Sequence, residues 1–315
     1  MRTIYIINMN AKNSYLVPVW EKLQKQLMVH QDDLCFTHSV DEMRAAVRNA
    51  VEAAPDEKLF IVGVGGDGTI SALINQCIGY DNVTVGHFPA GSGNDFAKGY
   101  LWPAKADQGA TVIRLFQEDR LQEKFHDTGL YVLNGYRKGY FVNSMGAGFD
   151  AKVTMRAQHS PIKKWLNRLS LGKLIYAVLV FSEAMKFKPL VLEAEIDGEK
   201  KSFRHTWFIT ISNQQYFGGG MKISPKADSA DGMLDLTVVQ NLSRLKLLVV
   251  FLSVFLGKHT TFKEVETYRV KEILITSPEP VPVQVDGEYI GLIEENKKLH
   301  IEVQHHNWKT ADINS

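Results

Sequence analysis

Cysteine is nearly missing. The 315 residues hold two, Cys35 and Cys77, in no CxxC or other metal-ligand spacing. That excludes a disulfide scaffold and a cysteine-ligated zinc site, and it leads us to expect reduced thiols in a cytoplasmic protein. Charge of one sign is not in excess either. Lys plus Arg total 36 and Asp plus Glu total 35, a net charge of +1. The overall balance therefore gives no reason to expect nucleic acid, and attraction to an anionic surface has to come from a local patch. Long apolar runs are lacking. The longest, residues 247–256, would reach about 15 Å as a helix, half of a ~30 Å hydrocarbon core. Residues 1–8 carry no basic flank and no small-residue cleavage site, so they are not read as a signal peptide. The ten histidines show no HExxH or similar spacing, and His305-His306 reads as a merely exposed pair. What remains is an ordinary globular composition, 45% hydrophobic and 23% charged. At a prior of about 150 residues per domain, the length suggests two domains.

The first part of the chain alternates strand and helix. Residues 3–8, 34–37, 59–64 and 83–88 read as buried strands, and residues 17–28, 43–53 and 70–78 have apolar positions at helical spacing. This βαβα rhythm predicts a Rossmann-like, mostly parallel sheet covered by helices, with ligands beyond the carboxyl ends of its strands. From about residue 122 strand-like runs dominate: 125–133, 139–143, 190–196, 206–212, 234–239, 272–275, 281–285 and 299–303. Asn134-Gly135 and Asp197-Gly198 are hairpin signals between them. Helical insertions interrupt near 162–186 and 243–257. The expected organisation is an α/β domain over residues 1–121 and a β-rich antiparallel sandwich domain with inserted helices over 122–315, whose last segment can return to the first domain.

Two glycine-rich loops carry the sharpest chemical signal. Gly65-Gly66-Asp67-Gly68-Thr69 follows a strand and opens a helix, so backbone N–H groups and the positive helix end are available to phosphate. No Gly-Lys-Ser/Thr follows, which excludes a Walker A loop. Asp67 among phosphates calls for a bridging cation such as Mg²⁺; the competing reading is a strand-to-helix turn with a capping Asp. The second loop, Pro89 through Ala97, offers Ser92, Asn94 and Asp95 as a phosphate and ribose cradle, or as an N-capped short helix. Further on, Asp228, Asp231 and Asp235 surround a glycine, which fits an oxygen-ligand metal site and equally an Asx turn. Asp286-Gly287-Glu288 between two apolar strands is first of all a hairpin turn. Residues 151–182 contain no Asp or Glu, while Lys152, Arg156, Lys163, Lys164, Arg168 and Lys173 are basic and Trp165 sits on an apolar helical face. That stretch suits an anionic membrane surface, or a helix packed on its own domain.

GGDGT at 65–69 and PAGSGNDFAKG at 89–99 resemble the diacylglycerol-kinase-like catalytic family of bacterial lipid kinases, relatives of sphingosine kinases. NSMGAGFDAKV at 143–153, GGGMKISPKADSADGMLDL at 218–236 and VDGE at 285–288 resemble that family's later motifs, in the same order. The resemblance implies a nucleotide-binding domain of the kind shared with NAD kinases and phosphofructokinases. It places ATP on Thr37, on Gly65, Gly66, Asp67, Gly68, Thr69, Ile70 and Ser71, and on Ser92, with Asn94 and Asp95 alongside. It places Mg²⁺ on the carboxylate of Asp231 and the main-chain carbonyls of Asp228 and Met233. It makes Glu288 the proton acceptor, with Asp67 as a second catalytic candidate. Two stretches depart from the family pattern: Asn8-Met9-Asn10-Ala11-Lys12 lacks its Pro and Gly, and Ser71-Ala72 stands where Asn-Glu is usual. The expected activity is transfer of the γ-phosphoryl group of ATP to a lipid alcohol, diacylglycerol first. The alternatives are an NAD kinase, which shares GGDG, and a non-catalytic nucleotide- or lipid-binding regulator. The expected setting is cytoplasmic, with peripheral contact at the inner membrane face, no nucleic acid, and a homodimer left open.

Overall fold

The structure is a computed structural model and describes residues 1–9, 30–90, 95–159 and 180–313. The chain divides into two units: Met1–Thr128 with Ser229–Gly232 and Gln304–Ser315, and Gly129–Asp228 with Met233–Val303.

The first unit is built on β1 (Arg2–Asn8), β2 (Leu34–Thr37), β3 (Leu59–Gly65) and β4 (Val83–Pro89), all parallel, in the order β2-β1-β3-β4. β3, with sequence LFIVGVG, is buried along its whole length, as a strand covered on both faces requires. Among the described residues its helices include α1 (Val40–Ala53), α2 (Asp67–Cys77), α3 (Asp95–Gly99) and α4 (Ala106–Gln117). α1 starts earlier than apolar spacing predicts because Ser39 caps it: its side chain accepts from Glu42 N–H, and Glu42 accepts from His38 N–H at 2.7 Å. Its buried positions, Met43, Val47 and Ala50, form one stripe. The expected helix over 17–28 lies outside the described residues.

The second unit is antiparallel. Its strands are β6 (Arg137–Phe141), β7 (Ser144–Gly148), β8 (Leu190–Ile196), β9 (Glu199–Ser212), β10 (Leu234–Gln240), β11 (Val265–Val270), β12 (Glu272–Thr276), β13 (Val281–Val285) and β14 (Glu288–Ile293). Portions of β5 (Glu123–Leu133) and β15 (Lys298–Ala311) join them. The order runs β14-β13-β7-β9-β8-β12-β15, with β10 between β9 and β11. β8 alternates buried and exposed along LVLEAEI, so one face supplies Leu190, Leu192, Ala194 and Ile196 to a core shared with Ile209, Leu236 and Val283. Two helices of this unit matter below: α5 (Phe149–His159) and α6 (Arg244–Val254). Residues 180–186 are also helical, while the rest of the expected 162–186 insertion lies outside the described residues. β7 and β11 were not anticipated, whereas β14 is the second of the two apolar strands expected around Asp286-Gly287-Glu288. β7 reads SMGAG, a poor strand by propensity, and is held by pairing to β9 on one side and β13 on the other.

Candidate functional site

In the first unit the sheet brings the expected nucleotide residues to one edge. Asn8 pairs with Thr37 at the ends of β1 and β2, and Gly65 pairs with Pro89 at the ends of β3 and β4. Ala90 N–H donates to Gly65 C=O at 2.9 Å, which fastens the second loop to the first. Asn8 Nδ2 donates to Thr69 Oγ1 at 3.2 Å, tying β1 to the first turn of α2. A Cβ on Gly65 would lie 2.5 Å from Thr69 Oγ1, so only glycine lets this turn close. Gly68 has open space where a Cβ would go. Thr37, Ile70 and Ser71 are buried, Ile70 completely. Ser92 and Asn94 lie outside the described residues.

Asp67 sits at the start of α2, and its carboxylate spans the two loops. Oδ2 accepts from Asp95 N–H and Oδ1 from Phe96 N–H, both at 3.2 Å. The cap of α3 is therefore supplied by Asp67 and not by Asp95, whose own N–H is one of the capped donors. Behind the loops, His87 is buried and touches Gly65 C=O through Nε2 at 3.1 Å. Burial pulls its pKa down to about 4, so the ring is neutral and adds no positive charge at this sheet edge.

The acidic turn is held from below by a residue that no motif singles out. Asp127, fully buried, accepts from Gly232 N–H, from His305 Nδ1 and from His306 N–H, each at 2.8 Å. Neighbouring His126 contacts Ser229 Oγ at 2.9 Å and Thr310 Oγ1 at 3.0 Å, and burial lowers its pKa to about 3. His305 and His306 are thus solvent-facing but engaged, which corrects the expectation of a merely exposed pair. Asp231 is carried on this anchored turn, and its neighbours Asp228 and Met233 fall in the second unit.

In the second unit Glu288 is exposed and follows a two-residue turn. Asp286 and Gly287 both have positive φ, 47° and 84°. Asp286 does not face solvent as a turn residue would. Its carboxylate accepts N–H from Val142, Asn143 and Ser144 at 2.8–3.0 Å, so the VDGE turn is clamped to the NSMG segment. Gly287 N–H donates to Gln284 Oε1 at 2.9 Å.

Gln284 leads to a feature the sequence reading missed. Its Nε2 donates to Asp150 Oδ2 at 3.3 Å, and Asp150 Oδ1 is buried with no partner among the described residues. Burial drives the Asp150 pKa up from 3.8 to about 7. A Cβ on Gly146 would lie 1.8 Å from Asp150 Oδ2, and Gly148 has φ +109°, so these two glycines of the motif make room for the carboxyl and turn the chain into α5. Asp150 and Gln284 line a cavity of about 90 Å³ together with Thr154 and His259; most of its other walls are apolar, among them Phe149, Val153, Phe208, Leu247, Val250 and Val254. The one sequence signal for Asp150 was its place within GAGFDAKV; Gln284, Asp127 and the clamp by Asp286 have none.

Residues 2–122 match the diacylglycerol kinase catalytic domain, and residues 143–302 match the YegS C-terminal NAD kinase beta sandwich-like domain. A diacylglycerol kinase of Mycobacterium tuberculosis is 31% identical over 73% of this chain and 70% of its own length. A crystal structure of a Bacillus anthracis diacylglycerol kinase superposes with a TM-score of 0.68 over 99% of this chain and 97% of that one, at 18% identity. Yeast NADH kinase shares the fold at a TM-score of 0.56 and 11% identity, over 99% and 82% of the two chains. With both halves matched in order and a relative of this identity along most of its length, the chain belongs to the diacylglycerol-kinase-like family of lipid kinases.

Proposed function

We propose that the protein is an ATP-dependent kinase whose acceptor is diacylglycerol and whose product is phosphatidic acid. The observation that supports this acceptor is the cavity: mostly apolar walls for an acyl chain, with a protonatable carboxyl hydrogen-bonded to an amide for a hydroxyl or ester group. Each methylene that leaves water for such walls contributes about 0.8 kcal/mol. A nicotinamide dinucleotide, polar along its whole length, would leave these walls unused.

Roles follow from the residues. ATP binds along Thr37, the Gly65–Ser71 segment and the loop carrying Ser92, Asn94 and Asp95. Asp67 sets the spacing of the two loops by capping α3. Phosphoryl transfer needs mainly positioning and charge neutralisation. The Asp231 carboxylate with the carbonyls of Asp228 and Met233 is an all-oxygen donor set that fits Mg²⁺, which would supply that neutralisation. Glu288 accepts the acceptor hydroxyl's proton as the oxygen–phosphorus bond forms. Asp150, protonated below pH of about 7, donates a hydrogen bond to the lipid and with Gln284 fixes its depth. The setting is cytoplasmic, at the inner membrane face. ATP consumption with a panel of diacylglycerols, other lipid alcohols and NAD tests the reading. We expect turnover with diacylglycerol, and turnover with NAD alone would refute it.

A further inference from the structure

α6, the helix that walls the cavity, has a second apolar face. Leu247, Val250 and Val254 point inward. On the other side Leu245, Val249, Leu252 and, just past the helix end, Leu256 are 74%, 56%, 65% and 72% exposed. Steps of four, three and four residues place these side chains in one line. Phe255 adjoins the line, and Phe181 and Met185 expose further apolar surface from residues 180–186. That segment lies against α6: Arg244 Nε donates to Ala184 C=O at 3.3 Å, and Val180 and Ala184 share a core cluster with Leu247 and Val250. Single exposed leucines are ordinary, whereas a contiguous apolar stripe marks an interaction surface.

The exposed charges within residues 180–188 and 241–264 have one sign. Lys186, Lys188, Arg244, Lys258 and Lys263 are exposed. The two acids within residues 180–188 and 241–264 are Glu183 and Glu264. Both are buried and paired, Glu183 with Arg156 at 3.4 Å and Glu264 with Lys246 at 2.6 Å. The surface therefore offers leucines rimmed by cations with no exposed anion in these segments.

We propose that this face of α6 docks on an anionic lipid bilayer, with the Leu245–Val249–Leu252–Leu256 line in the acyl boundary and the cationic rim on the headgroup phosphates. A second copy of this chain would bring two cationic rims together, which charge repulsion opposes. The surface is made of other residues than the basic 163–168 stretch, which lies outside the described residues. Exposure and charge carry the docking; its purpose rests on the lipid-kinase reading, because the inner face of the docked helix is the cavity wall that an acyl chain must pass.

The test uses the full chain and sedimentation with phosphatidylglycerol–phosphatidylcholine vesicles. Leu245→Gln with Leu252→Gln alters two exposed positions outside the cavity, so the thermal midpoint should hold while vesicle partitioning falls by about tenfold or more. Lys258→Glu with Lys263→Glu should weaken binding to anionic vesicles and flatten its dependence on salt. Phosphorylation of a short-chain diacylglycerol dispersed as monomers should stay unchanged in the leucine variant. Equal partitioning of parent and leucine variant overturns the proposal, as does a parent dimer that the variant converts to monomers without loss of vesicle binding. Vesicle binding that depends on the stripe in a protein that phosphorylates no diacylglycerol supports the docking surface and refutes the assigned activity instead.

Discussion

Asp286 and Asn143 lie far apart in sequence, yet the Asp286 carboxylate accepts the Asn143 N–H at 2.8 Å, and takes Val142 and Ser144 as well. The turn that presents Glu288 is thereby fixed to the segment that leads into Asp150. Asp286→Ala strands three N–H groups and should destabilise the protein by roughly 2–3 kcal/mol. It should also lower kcat, because the clamp holds the turn that presents Glu288. Asp286→Asn keeps one acceptor oxygen and tolerates positive φ, so it should recover most of both losses. Chemical denaturation and steady-state kinetics on the two variants measure this, and an Asp286→Ala protein with parental kcat would contradict it.

Asp67 caps α3 across the two glycine loops, so its removal should have a structural consequence and, on the proposed reading, a binding one. Asp67→Ala should cost about 1–2 kcal/mol, the value of a lost helix cap, and should raise KM for Mg-ATP. Calorimetry of ATP binding together with the thermal midpoint tests both parts. A variant with unchanged midpoint and unchanged ATP affinity would show that the carboxylate organises nothing.

Asp150 gives a pH signature. Burial raises its folded pKa to about 7 from 3.8. Between roughly pH 4 and 7 the folded protein keeps a proton that the unfolded chain has released, so stability falls as pH rises through that window and stays low above it. The full effect is at most about 4 kcal/mol. Asp150→Asn is neutral throughout and should lose this component. Thermal midpoints at pH 5 and pH 8 compare the two, and an equal drop in parent and variant would mean that Asp150 does not titrate here.

Glu288 is exposed at a strand start and held by a clamped turn, a placement that suits a group meeting substrate. Glu288→Gln retains shape but cannot take a proton, so kcat should fall by ~10²–10⁴ with KM for ATP nearly unchanged. Retention of more than a third of parental kcat would reduce Glu288 to a turn residue.

The parallel half of the fold was legible because its strands are short apolar runs, such as LFIVGVG, and buried strands leave that mark whatever their neighbours. The two loops were legible as glycine clusters at strand ends. β7 was not, since SMGAG acquires its strand state from β9 and β13 on either side. The motif around it shows that glycine can conceal a site: Gly146 admits Asp150, whose interest lies in burial and in an oxygen with no partner among the described residues, and neither is written in local sequence. Asp127 was invisible likewise, because its partners Gly232, His305 and His306 come from distant segments.

The central claim is that the protein moves phosphate from ATP to a diacylglycerol hydroxyl. The most direct measurement is transfer of radiolabel from γ-labelled ATP to diacylglycerol in anionic mixed micelles with Mg²⁺, with the lipid product extracted and identified by mass. The account predicts labelled phosphatidic acid from the parent and at least ~10²-fold less from Glu288→Gln. Label that appears in NADP and in no lipid would contradict it.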